Sequence, residues 1–360
     1  MCAVSNHAAR RAALRPLLAA HEVEALLVTD LLNIRYLTGF TGSNAALLVD
    51  ATGDERTAFC TDGRYVTQAA AQVPDLRTVI ARASAPALVR AAAGRLGFEA
   101  THLTVDAHRR LADLDTAALV PTTGLVEELR AVKDADEIEA LRRACEIADV
   151  AFAALIADGG IRVGRTEREV GLDLDERMRR GGAEDPAFEA IVAAGAHSAI
   201  PHHRPTGAVL ATGDLVKFDF GARFDGYHSD MTRTLVLGPP QGWQQEIHDV
   251  VLAAQTAAEE LVAPGTTGQQ LDRAARQVIE DAGYGDRFLH GLGHGIGLEI
   301  HEGPAVAAAA TGTIKADMVL TVEPGVYLEG RGGVRIEDSG VVRASGYEVL
   351  TLTAKNLLVL

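Results

Sequence analysis

The sequence predicts an α+β protein with two domains, a small α/β domain at 1–128 and a larger domain at 129–360. The length of 360 residues fits two domains at roughly 100–200 residues each. Strands alternate with helices in the N-terminal third of the chain, which is typical of an α/β domain. The remainder contains an internal repeat of about 100 residues, in which helix pairs precede strands. This order predicts helices packed on a curved antiparallel sheet.

In the N-terminal domain, short apolar runs bounded by turn residues predict strands, and apolar residues at helical spacing predict helices. Strands are expected at 25–29, 45–49, 55–60 and 102–105, with the segment 33–41 leading into the second of them. Helices are expected at 8–21, 64–73 and 86–96.

A long helix opens the second domain, because Asp134 and Glu137 form a capping box and apolar residues continue at helical spacing to Asp158. The same order of elements then occurs twice. In the first half, helices at 134–158 and 167–180 precede strands at 215–222 and 228–237. In the second half, helices at 244–262 and 269–282 precede strands at 319–327 and 333–342. The repeat predicts two halves related by a pseudo-twofold axis.

Composition and charge exclude several classes of function. A net charge of −15, from 34 basic and 49 acidic residues, repels phosphate groups, so neither nucleic acid nor a membrane surface is an expected partner. No apolar run approaches the roughly 20 residues that span a bilayer. The first residues show no basic segment followed by an apolar one, and the three cysteines (Cys2, Cys60 and Cys145) are widely spaced. We therefore expect a cytoplasmic protein without disulfides.

Four acidic residues lie within apolar strand patterns. Asp219 and Asp230 flank a predicted hairpin turn at 223–226, which would bring them onto neighbouring strands. Glu323 and Glu337 occupy the corresponding strands of the second half. A single acid in such a strand most often faces solvent at a sheet edge, but four at matched positions would meet at a pseudo-twofold axis. Burying four carboxylates without compensation is too costly, and divalent cations remove that cost.

A nitrogen ligand is available in His294, which lies between Gly293 and Gly295. A lone histidine is more often an ordinary hydrogen-bonded residue, and the spacing of His294 and His301 forms no helical zinc motif. Eight of the twelve histidines, however, lie between 197 and 301. Carboxylates with one imidazole suit Mn²⁺, Co²⁺, Fe²⁺ or Zn²⁺. The four negative charges of the carboxylates match the four positive charges of two such divalent ions. Two metal ions at one site activate a water molecule and polarise a carbonyl group, as hydrolysis requires.

In this order and setting, Asp219, Asp230, His294, Glu323 and Glu337 resemble the five metal ligands of the pita-bread metallopeptidases. The segments PHHRPT, FDFG, SDMTRT, GHGIGLEIHE, TVEPG and VRIED are similar to those of the Xaa-Pro branch, aminopeptidase P and prolidase. The segment NIRYLTGFTGS resembles the creatinase-type domain that precedes the catalytic domain there. The resemblance extends over nearly the whole chain and implies a creatinase-type domain at 1–128 and a pita-bread domain at 129–360.

The resemblance implies a role for each site residue. Asp219 would be a terminal ligand of one metal ion, His294 and Glu323 would hold the other, and Asp230 and Glu337 would bridge the two. Glu323 would also accept the proton of the attacking water. His202 would contact the substrate and stabilise the tetrahedral intermediate, His301 would lie near the peptide carbonyl, and Arg335 would support the ligands. Manganese is the expected metal, with cobalt or zinc as alternatives, and a homodimer is the expected assembly. His203 and His228 receive no role and are interpreted as structural.

The leading interpretation is an Xaa-Pro aminopeptidase, which removes the residue before a proline from small peptides. One alternative is an Xaa-Pro dipeptidase (prolidase), which needs a positive group for the substrate carboxylate. The residues after His301 (302–305) contain no arginine, which favours the aminopeptidase, although Arg35 or another N-domain residue could supply the charge. Metal-free C–N hydrolysis, as in creatine amidinohydrolase, or an inactive binding domain would both predict lost ligands, whereas all five are present.

Overall fold

The computed structural model describes residues 6–360, which divide into two compact units. The first unit ends at Arg130 and the second runs from Ala131 to Leu360. Cys60 and Cys145 are buried free thiols, and Cys2 lies outside the described residues. Within the described range no helix has both the length and the apolar character needed to cross a membrane.

The first unit is built on a mixed six-stranded sheet with the strand order β4-β3-β2-β1-β5-β6. The strands are β1 (Ala25–Val28), β2 (Ala45–Asp50), β3 (Ala58–Thr61), β4 (Arg77–Ile80), β5 (Arg95–Glu99) and β6 (Ala118–Thr122). The helices are α1 (His7–Ala20), α2 (Leu31–Thr38), α3 (Val66–Gln72), α4 (Ser84–Val89), α5 (Val105–Ala112) and α6 (Leu125–Ala131). β1 pairs antiparallel with β2 and parallel with β5, so the sheet combines both pairings.

Several sequence predictions in this unit were wrong. The strand expected at 102–105 is the approach to α5, whose N-cap Thr104 accepts a hydrogen bond from the Ala107 amide. The helix expected at 86–96 ends at Val89, and β5 begins within the predicted range. α2 was not predicted, although Asp30 caps its start. Short apolar runs fit a strand or a buried helix equally well, so periodicity alone did not separate them.

The second unit contains the two helix pairs that the repeat predicted. They are α7 (Ala135–Ala157), α8 (Glu167–Arg180), α9 (Gly242–Glu259) and α10 (Gly268–Asp281). The capping box of Asp134 and Glu137 is present at the start of α7. α8 and α10 both begin after a threonine N-cap that forms its own capping box, Thr166 with Glu169 and Thr267 with Gln270. Equivalent caps at equivalent helices support the two-half organisation.

The strands of the second unit form several sheets, chiefly antiparallel. The first half contributes β7 (Asp185–Pro186), β8 (Ile191–Ala194), β9 (Leu215–Phe220), β10 (Ala222–Phe224), β11 (Tyr227–His228) and β12 (Met231–Val236). The second half contributes β13 (Gly293–Gly295), β14 (Glu302–Val306), β15 (Val319–Val322), β16 (Gly325–Leu328), β17 (Gly332–Arg335), β18 (Asp338–Arg343), β19 (Gly346–Val349) and β20 (Leu358–Val359). The two main sheets have the orders β20-β12-β9-β8 and β14-β13-β15-β18-β19.

Three of the four acidic residues lie where a predicted strand is interrupted. The predicted hairpin exists as β10 and β11, in which Phe224 pairs with Tyr227. Asp230 then lies between β11 and β12, Glu323 between β15 and β16, and Glu337 between β17 and β18. Only Asp219 lies within a strand, opposite Thr232 of β12. The sequence analysis expected uninterrupted strands at 228–237, 319–327 and 333–342. These predictions were wrong at the positions where the chain passes from one sheet to another.

Each half of the second unit has its own apolar core. In the first half, buried residues of α7 and α8 pack against β8, β9 and β12, and Phe152 of α7 contacts the rings of Phe218 and Phe220. In the second half, α9 and α10 pack against β15 and β18 through residues such as Val251 and Leu271. Two cores of this kind hold the two strand sets in place on either side of the acidic residues.

We expect Phe152→Ala to lower the stability of the second unit by about 3–5 kcal/mol, because the ring is buried and its removal leaves a cavity. Thermal unfolding followed by circular dichroism should show a midpoint lower by roughly 10 °C. Leu172→Ala on α8, where the side chain is 63% exposed, is the control and should shift the midpoint little. Equal shifts for the two variants would contradict this account of the core.

Candidate metal centre

A cavity of about 430 Å³ in the second unit brings the predicted site residues together. Its lining includes all eight of them: His202, Asp219, Asp230, His294, His301, Glu323, Arg335 and Glu337. They come from both halves of the repeat, so neither half alone forms the site. The lining also includes His203, Arg204 and His290, which the sequence analysis left without a role.

The four acidic side chains converge with little compensation. Oxygen and nitrogen atoms of Asp230, His294 and Glu337 all lie within 4.8 Å of one another, as the ligands of one ion would. Burial raises the pKa of Asp230 well above its usual range, and repulsion from Glu337, Asp219 and Glu323 adds to the effect. Burial raises the pKa of Glu337 in the same way, with Glu323 and Asp219 as the main repelling charges.

Three buried carboxylate oxygens of the cavity lining lack a hydrogen-bond partner: Asp219 Oδ1, Asp230 Oδ1 and Glu337 Oε1. Buried polar atoms are nearly always paired, because an unpaired one loses its hydration without replacement. All three residues line the same cavity. Unpaired anionic oxygens at one place fit divalent cations, which prefer such ligands.

His294 presents a nitrogen to the same point. Its Nε2 atom lies 3.4 Å from Glu323 Oε1 and 3.6 Å from Asp230 Oδ2. Burial lowers the pKa of His294 to about 4, so the ring is neutral near pH 7. Nδ1 lies 3.0 Å from the Gly295 carbonyl oxygen, to which it can only donate. Nε2 is then the unprotonated nitrogen, as a metal ligand requires.

Glycines on both sides of His294 let the strands approach closely. A Cβ atom on Gly293 would lie 2.1 Å from the Thr321 carbonyl oxygen, and one on Gly295 would lie 2.1 Å from the Gly303 carbonyl oxygen. Any side chain would therefore separate β13 from its neighbours. The close approach lets the His294 amide donate to Thr321 Oγ1 at 3.1 Å, which fixes the backbone of His294.

Arg335 is the buried cation that partly balances the acids. Its Nη2 atom forms an ion pair with Asp219 Oδ2, and its Nε atom donates to Thr232 Oγ1 at 3.0 Å. The Thr232 hydroxyl in turn donates to Glu337 Oε2 at 2.7 Å. Although burial opposes a charged guanidinium, Tyr327 and the carboxylates raise the pKa of Arg335 well above its usual value. One cation among four carboxylates leaves an excess of negative charge.

His290 belongs to the cavity although sequence reasoning gave it no role. Its Nε2 atom lies 2.8 Å from Tyr327 Oη, and that oxygen accepts a hydrogen bond from Arg335 Nη1 at 3.0 Å. Burial lowers the pKa of His290 to about 3, so the ring is neutral and its Nε2 atom can accept a hydrogen bond from the Tyr327 hydroxyl. The sequence feature that could have indicated a role for His290 is its position four residues before His294, in the same glycine-rich segment.

Comparisons with known proteins find a matching family model for each of the two units. The family model described as "Metallopeptidase family M24" matches residues 139–344, and the one described as "Creatinase/Prolidase N-terminal domain" matches residues 10–132. An Xaa-Pro dipeptidase from Pyrococcus furiosus is 45% identical over 234 residues, which is 65% of this chain and 67% of the relative.

Two solved structures resemble nearly the whole chain. An Xaa-Pro dipeptidase from Bacillus anthracis has a TM-score of 0.93 at 38% identity and covers 99% of this chain and 100% of its own. An X-Pro aminopeptidase from Thermotoga maritima has a TM-score of 0.87 at 34% identity and covers 94% of this chain and 98% of its own. The fold is therefore shared with both types of exopeptidase.

We expect Asp230→Asn to weaken divalent metal binding by at least about 10- to 100-fold, since loss even of a residue that only supports a ligand has that effect. Isothermal titration of the chelator-treated protein with Mn²⁺ would measure the affinity, and metal addition should raise the unfolding temperature of the unsubstituted protein. Asp225→Asn, which removes the same charge from an exposed turn, should bind Mn²⁺ normally. Unchanged affinity in Asp230→Asn would contradict the assignment.

Proposed function

The chain belongs to metallopeptidase family M24, and from this premise we propose that it hydrolyses the bond between an N-terminal residue and a following proline, acting mainly on dipeptides. The observation that carries the proposal is the set of unpaired carboxylate oxygens beside the neutral His294 ring in one open cavity. An inactive binding domain would have no need of such a costly arrangement.

Five residues would hold two divalent ions: Asp219, Asp230, His294, Glu323 and Glu337. The assignment of Asp219 as a terminal ligand, of Asp230 and Glu337 as bridges and of His294 with Glu323 to the second ion is part of this proposal. When bound, such ions polarise a carbonyl and lower the pKa of water. Manganese as the metal and a homodimer as the assembly stay predictions.

Glu323 is the acid best placed to accept a proton. Its side chain is 17% exposed, compared with 11% for Asp219 and 7% for Asp230. The structure gives its Oε1 atom a weak contact with the Thr321 hydroxyl at 3.4 Å. Burial raises the pKa of Glu323 to about 8, against the opposing charge of Arg335. The positive charge of bound divalent ions would lower this pKa again and favour the carboxylate form. A carboxylate open to the cavity can receive the proton of the attacking water and pass it to the leaving nitrogen.

His202 and His301 would bind the substrate. Both side chains are exposed and line the cavity, and the ring of His301 packs edge-on against that of His294 with centroids 4.4 Å apart. Partial loss of hydration in the cavity and the nearby charge of Arg335 lower the pKa of His202, so its imidazole is neutral. This neutral ring would donate a hydrogen bond to the substrate carbonyl oxygen as negative charge develops there. Phe188, Ile191 and Ile300 add apolar lining to the cavity, which suits a proline ring that has no N–H to satisfy.

Two observations favour the dipeptidase over the aminopeptidase that the sequence analysis preferred. The first is that proteins named Xaa-Pro dipeptidase occur among both the similar sequences and the similar structures. The second is Arg204, which lies in the segment PHHRPT and lines the cavity. Its side chain is 82% exposed and donates to Glu189 Oε2 at 2.7 Å. Arg204 could thus supply the positive charge that is missing at 302–305.

We expect Glu323→Gln to lower kcat on Ala-Pro by at least about 100-fold, the usual scale of acid–base assistance. The amide keeps the shape of the side chain but cannot accept the proton. Steady-state hydrolysis at saturating Mn²⁺ would measure the effect, with Asp225→Asn as the charge-matched control. Near-normal turnover in Glu323→Gln would remove this residue from the mechanism.

We expect Ala-Pro to be cleaved with a higher kcat/KM than Ala-Pro-Ala, and both far faster than Ala-Ala. Arg204→Gln should lower kcat/KM on Ala-Pro by about 10-fold, comparable to one charge-assisted hydrogen bond, but change hydrolysis of the Ala-Pro amide much less. Arg180→Gln is the matched control, because Arg180 forms an equally exposed ion pair with Glu176 outside the cavity lining. Faster cleavage of the tripeptide would favour the aminopeptidase instead.

A further inference from the structure

Glu167, the first residue of α8, is a fully buried carboxylate that accepts five hydrogen bonds from one segment of chain. Its Oε1 atom accepts from the Ala194 amide at 2.9 Å and from His197 Nδ1 at 2.8 Å. Its Oε2 atom accepts from His203 Nε2 at 2.9 Å, from the Thr206 amide at 3.0 Å and from the Thr206 hydroxyl at 2.6 Å. Although burial opposes ionisation, these donors hold the pKa of Glu167 at about 2. The segment 194–206 is therefore tied to the start of α8.

His202 lies between these anchors. Both His202 and His203 line the cavity, but His203 is buried and hydrogen-bonded to Glu167, whereas His202 is exposed. The preceding residues are held from the opposite side. Lys217 Nζ donates to the carbonyl oxygens of Ile200 at 2.7 Å and Pro201 at 3.1 Å, and Arg335 Nη1 donates to Pro201 at 3.1 Å. The backbone on both sides of His202 is thus fixed by buried charges.

The second half of the repeat has no equivalent of this carboxylate. α8 and α10 begin with the same kind of cap, Thr166 before Glu167 and Thr267 before Gly268. A Cβ atom on Gly268 would lie 2.4 Å from the Ala305 carbonyl oxygen, so backbone occupies the space there. Since the fold builds α10 without a carboxylate at this position, the architecture by itself does not require Glu167.

Glu167, His197 and His203 also have the residue types of a metal site. Each imidazole nitrogen, however, lies within hydrogen-bond distance of a different carboxylate oxygen, and three further donors occupy the same two oxygens. The rings of His197 and His203 stack with centroids 4.3 Å apart. This arrangement is a complete hydrogen-bond network in which every lone pair of the carboxylate is directed at a protein donor.

We propose that Glu167 is a positioning residue for His202, holding His203 and Thr206 so that the His202 ring is presented to the substrate carbonyl. The inference rests on the substrate-binding role of His202 proposed above. A displacement of about 1 Å of such a group costs up to about 100-fold in rate. His203, which received no role from the sequence, would act as the link between the buried carboxylate and the exposed imidazole.

The test is a double-mutant cycle between Glu167 and His202 in the metal-loaded full chain. Glu167→Gln places an amide NH₂ against N–H or O–H donors, so kcat on Ala-Pro should fall by about 10- to 100-fold with little change in KM. In a His202→Ala background the same substitution should lower kcat by less than about threefold, because coupled residues are not additive. Bound Mn²⁺ should be equal in all four proteins. Equal losses in both backgrounds, or unchanged kcat in either single variant, would overturn the proposal.

Two further variants keep the test decisive. Asp50→Asn is the matched control, since Asp50 is buried in the first unit and likewise accepts from the amide and hydroxyl of one threonine, Thr52. Its kcat should be normal. If Glu167→Gln fails to fold, Thr206→Val removes the hydroxyl that donates to Glu167 Oε2 and accepts from the Ala208 amide. It should lower kcat several-fold, again only when His202 is present. Hydrolysis of Ala-Pro by the unsubstituted protein is measured first, so an uncoupled Glu167 would overturn this inference and leave the proposed function standing.

Discussion

Four carboxylates meet in one cavity of the second unit, and the surrounding structure has to offset the repulsion between their negative charges. Asp219 lies within a strand, and Asp230, Glu323 and Glu337 lie at junctions between strands. Burial with mutual repulsion raises the pKa of the last three. Arg335 supplies a buried counter-charge and, through Thr232, links Asp219 to Glu337. The same guanidinium donates to the Pro201 carbonyl, so the acids and the His202 segment share one support. The remaining negative charge fits the divalent metals on which the M24 family depends.

The two halves of the repeat share the same order of helices and strands, but they place different side chains in and around the cavity. Both halves place a capped helix pair over a strand set with its own apolar core. Each half contributes two acids to the cavity, which is why the site lies at their junction. The imidazole of His294 comes from the second half alone, whereas the Glu167 network is built only in the first.

Local signals predicted the helices of the second unit more accurately than the elements of the first. A capping box predicted the start of α7, because the side chains of Asp134 and Glu137 each accept a hydrogen bond from the other residue's backbone amide within one turn. In the first unit the short apolar runs gave no such signal, so α2 was not predicted and 102–105 was taken for a strand. The interruptions at Asp230, Glu323 and Glu337 were missed for a different reason. They occur where the chain moves between sheets, and that move depends on strands distant in sequence.

The sequence by itself determined the α+β class, the repeat, and the four acids and three of the histidines that meet in the cavity, because these follow from local periodicity and from motifs that keep their order along the chain. Only the tertiary structure decided how those side chains are supported. The pairing of Arg335 with Asp219 and the five donors around Glu167 both join residues far apart in sequence. Position Glu167 illustrates the difference, since in the sequence it is only an acid in the first turn of a helix. Its burial and its donors exist only after the segment 194–206 has folded against it, because hydrogen bonding in a dry interior depends on which groups the fold brings within about 3 Å.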